Sequence, residues 1–132
     1  MKLSWKQSNE ILNNIVLELR SLNKEMTDVN RGIPIDQTKT ERALASLKKL
    51  ELLYKDASAI AYTLNSGALG AKLIGLSDSI RISAQRAKAE MMLNHPQDAF
   101  ILAVGSAHHE ELIHTTTLLQ KTISLRRQYF AL

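Results

Sequence analysis

The chain has 132 residues, no cysteine and a formal net charge of +4 at neutral pH. That length suits one domain, residues 1–132, with a single hydrophobic core that folds without covalent staples. The missing cysteine excludes disulfides, thiolate nucleophiles, cysteine zinc sites and iron–sulfur clusters, so any metal would have to use His and carboxylate ligands.

The opening MKLSWKQSNE turns polar within a few residues and lacks the apolar core of a secretory leader. No stretch reaches the length needed to span a bilayer, so the expected compartment is the cytoplasm, with no membrane span. The most apolar run, DAFILAVGSA, carries Asp98 at its start and reads as buried helix.

In the first segment Trp5, Leu12, Ile15, Leu19, Leu22, Met26 and Val29 recur at alternating steps of three and four, with Ser8 in the one vacant position. This heptad stripe predicts a helix from about Trp5 to Asn30. Ser4 and Gln7 have the spacing of a capping box at its start. RGIPID ends it, because Gly32 can take a left-handed backbone and Pro34 cannot continue the hydrogen-bond ladder.

A second cap is expected at Thr38 with Glu41, followed by Ala43, Leu47, Leu50, Tyr54, Ala57, Ala61 and Leu64 as the apolar face of a helix antiparallel to the first. The second half of this helix and the segment after it, ASAIAYTLNSGALGA, are rich in small residues, which predicts close helix packing rather than a ligand cavity. Asn65, Ser66 and Gly67 mark the next turn. Leu69, Leu73, Leu76, Ile80, Ala84 and Ala87 then supply a third helix ending near Asn94. Pro96 suits a first helical position, and Asp98 favours the dipole of the helix that follows. This last segment reaches about Phe130, with a bend or break expected at Gly105 and Ser106. The fold class is therefore all-α, an antiparallel four-helix bundle, or five helices if the last one breaks near Gly105.

The stretch HHEELIH raises the question of metal chemistry. A zinc-protease helix needs two His four residues apart, whereas His109 and His114 are five apart, about 140° around a helix. Glu111 and His114 do form the Glu-x-x-His step of di-iron bundles, but that site needs the step twice and two further glutamates facing the core. His108, Glu111 and His114 are thus weak metal candidates. Local pairing of Glu110 with His114 and of His108 with Glu111 accounts for the cluster, and no cofactor is expected. Three imidazoles within two turns also allow a pH response between about pH 5 and 7.

VGSAHH lacks the nucleophile elbow, and NSGALGAK lacks the strand and spacing of a phosphate loop. No enzymatic activity is expected. After Glu111 the chain has no acidic residue, and Arg126 and Arg127 are expected to oppose the dipole of the last helix.

Two kinds of binding surface remain. Ile11, Val16 and Leu17 lie off the main stripe of the first helix, as do Leu44, Leu52, Leu53 and Ile60 on the second, and a helix apolar on more than one face must bury more than one face. The expected function is protein–protein interaction, as an adaptor, a secretion or assembly chaperone, or a small subunit of a complex. Self-association is expected through Ile11, Val16, Leu53 and Ile60, with Phe130 as a terminal anchor. On this reading Leu53→Asp dissociates the oligomer and leaves the monomer helical. The alternative is nucleic-acid binding: Arg81, Gln85 and Lys88 share one face of the third helix, with Lys72 and Arg86 nearby, although Asp78 and Glu90 interrupt the patch and aromatic residues make up only 5% of the chain.

Overall fold

The computed structural model describes residues 4–104 and 109–129. Among the described residues five α-helices follow one another: α1 (Trp5–Asn30), α2 (Gln37–Thr63), α3 (Gly67–Met92), α4 (Pro96–Val104) and α5 (His109–Leu125), then a short 3-10 turn, Arg127–Tyr129. The interruption of the last segment expected at Gly105 and Ser106 falls between the described α4 and α5. Gly105, Ser106 and His108 lie outside the described residues, as does Phe130.

Cross-helix pairs fix the topology. Glu25 meets Lys39 and Glu18 meets Lys49, so α1 and α2 run antiparallel. Ser58 meets Gly70 and Ser77 meets the Glu51 carbonyl, so α3 runs back along α2. Three further pairs are Thr40 with Pro96, Tyr54 with Thr116, and Leu64 with Arg126. They ascend together, so α4 and α5 successively follow the direction of α2. The molecule is an all-α bundle of four positions in which α4 and α5 share the fourth. One continuous core draws on all five helices, from Leu12 and Ile15 through Leu50, Tyr54, Leu73 and Phe100 to Leu119 and Ile123.

The helix ends obey local chemistry. At the start of α1 the Gln7 amide donates to Ser4 Oγ at 3.1 Å, and the Ser4 amide donates to Gln7 Oε1 at 2.9 Å, as the capping box requires. At α2 the cap is Asp36, not Thr38: the Lys39 amide donates to Asp36 Oδ1 at 2.8 Å, and Thr38 lies exposed one residue inside the helix. The carboxylate just after Pro34-Ile35 reaches the free amides two residues sooner than the hydroxyl could, and its charge favours the helix dipole. Gly32, Asn65 and Asn94 follow the first three helices with positive φ of 94°, 59° and 60°. In each case the next residue's amide reaches back to a carbonyl one turn inside the helix: Ile33 to Asp28, Ser66 to Ala61 and His95 to Glu90. Glycine and asparagine tolerate that backbone, so one terminating device is used three times.

The small residues of α2 and α3 do pack closely. Ser58 Oγ donates to the Gly70 carbonyl and Ser77 Oγ to the Glu51 carbonyl, each at 2.8 Å. Gly70 lies under the Tyr62 ring, where an added Cβ would come within 2.7 Å of a ring carbon. The cations at the end of the chain serve tertiary contacts rather than the α5 dipole. Arg126 donates to the Leu64 carbonyl and to Ser66 Oγ, closing the C-terminus of α2, and Arg127 stacks 4.8 Å above the Trp5 ring.

The vacancy in the α1 stripe has a thermodynamic consequence. Ser8 is fully buried, and its hydroxyl has no hydrogen-bond partner. An orphaned buried hydroxyl costs roughly 1–3 kcal/mol, and alanine is the better helix former. Ser8→Ala is therefore expected to raise stability by about 1 kcal/mol, seen as a higher urea midpoint at unchanged slope. A lower midpoint would mean that the hydroxyl is satisfied.

Candidate interaction surfaces

Helix periodicity places Leu17 and Leu52 on the outer side of the α1–α2 pair, where they are 59% and 51% exposed. They line a groove of about 400 Å³ with Asn14, Glu18, Lys49 and Leu53. Each helix contributes residues at i, i+3 and i+4: Asn14, Leu17 and Glu18 from α1, and Lys49, Leu52 and Leu53 from α2. Because the helices are antiparallel, the two sets face one another across the groove, and Lys49 Nζ stands 3.7 Å from Glu18 Oε1 at its edge. The groove is apolar in the middle, with one acid and one base on its rim.

The residues predicted for this role separate on folding. Leu53 is half-buried in the groove and also packs against the core. Ile11 is half-buried against the core as well. Val16 lies in a different groove, of about 510 Å³, between α1 and α5, lined also by Leu19, Arg20, Ile113 and Gln120. Ile60 is a correction: it is wholly buried and offers no surface. It sits three residues after Ala57 and next to Ala61, where the stripe of α2 widens because both α3 and the fourth position pack on it. Phe130 lies outside the described residues.

On α3, Arg81, Gln85 and Lys88 do share one exposed face, and they line a groove of about 300 Å³ with Leu44, Ala45, Lys48, Glu51 and Ala84. Lys48 was not visible as part of this patch from sequence, since it comes from α2. Arg81 spends part of its charge on Asp78 at 3.3 Å, and Glu51 adds an acid to the lining. Lys72 and Arg86 are exposed but do not line this groove.

The Glu-x-x-His step of α5 points the wrong way for a core metal site. Glu111 and His114 are exposed, whereas Leu112, Thr115 and Thr116 of the same turns are buried. The helix register chooses the apolar and hydroxyl-bearing side chains for the core and turns the ionisable ones outward. His108 lies outside the described residues.

In comparison with known proteins, the chain matches no family model, no curated protein and no solved structure. Among the described residues, no helix is long and apolar enough to cross a membrane.

Proposed function

We propose that this chain is a non-enzymatic protein–protein interaction module, and that the α1–α2 groove docks a second copy of the chain. The observation that carries this reading is the pair Leu17 and Leu52, two large apolar side chains more than half exposed at matched positions of antiparallel helices. A two-fold axis across such a face sets leucine against leucine and brings Glu18 of one copy beside Lys49 of the other, so the rim is self-complementary in charge. Adaptor, secretion or assembly chaperone, and small subunit of a complex are the roles open to a module of this kind.

The test is light scattering on a size-exclusion column at two salt concentrations. A dimer is expected, and Leu52→Asp is expected to yield a monomer of unchanged helical content, because a charge cannot be buried unpaired in the interface. Leu52 serves better than Leu53, whose contact with the core would mix folding with association. A parent chain that elutes as a monomer, or a Leu52→Asp variant that remains dimeric, refutes the groove as the interface. The second reading, nucleic-acid binding, is favoured by Lys48 joining Arg81, Gln85 and Lys88 across the α2–α3 groove. It predicts strong absorbance at 260 nm in the low-salt peak that disappears at high salt, as phosphate-bound cations give way to counterions.

A further inference from the structure

The ligand set missing from HHEELIH is found at the corner between α3 and α4. Glu90, His95 and Asp98 each offer a ligand atom within 4.8 Å of the others, with His95 Nδ1 only 2.9 Å from Glu90 Oε2. We propose that this corner binds a divalent transition-metal ion of borderline softness, such as Zn²⁺ or Co²⁺, through one imidazole and two carboxylates.

The donor chemistry fits that class: imidazole nitrogen and carboxylate oxygen bind zinc at about 2.0–2.2 Å, which sets neighbouring ligand atoms about 3 Å apart. His95 Nδ1 and Glu90 Oε2 are hydrogen-bonded at 2.9 Å, a contact whose proton a metal ion would replace, and an Asp98 oxygen lies within 4.8 Å of both. The backbone fixes the spacing. Asn94 in the left-handed conformation ends α3, the His95 amide donates to the Glu90 carbonyl at 2.9 Å, and the Ala99 amide donates to the His95 carbonyl at 3.0 Å. Glu90 and His95, five residues apart, are thereby held on one side of the corner. Asp98 joins them from the first turn of α4.

Electrostatics favour a cation at the same place. Among the described residues, neither carboxylate forms an ion pair with Lys or Arg. The corner brings two carboxylates together, and a divalent ion offsets their charge. Three protein ligands leave further coordination positions for water, the arrangement of an open site rather than a closed structural one.

The experiment is titration of untagged, chelator-treated protein with Zn²⁺ by calorimetry and with Co²⁺ by visible absorbance. Saturable binding of one ion per chain is expected. His95→Ala and Glu90→Gln should each abolish it at the concentration that saturates the parent, with far-ultraviolet circular dichroism unchanged. His114→Ala should leave it intact. A parent that takes up neither ion overturns the proposal, and so does binding that survives both substitutions at the corner. Binding lost in His114→Ala but kept in His95→Ala also overturns it and moves the metal to α5.

Discussion

Glu25→Ala is expected to destabilise the protein by about 3 kcal/mol, the cost of leaving a buried ammonium without its partner. Lys39 Nζ lies 2.7 Å from Glu25 Oε2, and their side chains are only 6% and 14% exposed. Asp28 stands farther off, at 4.0 Å, and Arg42 approaches Glu25 from solvent at 3.3 Å. Removing the glutamate takes away the short contact and leaves Asp28 as partial compensation, which places the cost at the lower end of the range for broken buried pairs. For a chain of this size the melting temperature should fall by roughly 10 °C. The effect belongs to the unpaired charge and not to the pair as such. The double substitution Glu25→Leu with Lys39→Met should therefore recover most of the loss, since apolar residues of similar volume often replace a buried ion pair without penalty. Glu18→Ala provides the contrast. Its partner Lys49 is 68% exposed, and the change should cost less than about 1 kcal/mol. Equal losses at Glu18 and Glu25, measured by denaturant titration, would show that burial is not what distinguishes the two pairs.

Tyr54→Ala should cost about 4 kcal/mol, the usual loss for a large aromatic removed from a core. Tyr54 is wholly buried and reaches across the bundle from α2 to α5, where its hydroxyl lies 2.8 Å from Thr116 Oγ1 and 3.3 Å from the Leu112 carbonyl. Thr116 Oγ1 also lies 2.7 Å from the same carbonyl, and either hydroxyl can be the donor between Tyr54 and Thr116. Burial pushes the Tyr54 hydroxyl up from 10.0 to about 12, against a smaller opposing effect of the Thr116 hydrogen bond. The folded chain thus resists forming tyrosinate, and the unfolded chain ionises first. The stability involved is intact below pH 10, falls as pH rises, and is lost by about pH 12, a total of roughly 2–3 kcal/mol. Tyr54→Phe gives up the hydroxyl's hydrogen bonds at neutral pH, about 1 kcal/mol, but is immune to this loss. Parent and Tyr54→Phe stabilities should consequently cross near about pH 11. Parallel curves through that range would show that the hydroxyl titrates as it does in water.

Helix one was legible almost residue by residue, because a seven-residue spacing of apolar side chains and a Ser-x-x-Gln cap are local signals. The turns at Gly32, Asn65 and Asn94 were legible for the same reason. The buried charge was not. Yet extending the α2 stripe four residues back from Ala43 lands on Lys39, and a lysine on an apolar face calls for an acid on the adjoining helix. Ile60 was misassigned because helical spacing shows how wide an apolar stripe is but not how many neighbours cover it. The Glu90, His95 and Asp98 corner was missed because its residues straddle a helix end. Only the reversal of the chain at Asn94 brings them together, whereas Glu111 and His114 of HHEELIH are close in sequence and exposed on α5.

The serine hydroxyls between α2 and α3 have a consequence for sliding. Two smooth rows of alanine, glycine and leucine could slip past each other by a helical turn, about 5.4 Å, with little change in apolar contact. Ser58 and Ser77, one from each helix, each bond one particular carbonyl of the opposite helix, so a slip strands both hydroxyls in the dry interface at once. The pair is keyed to a single register without using any charge.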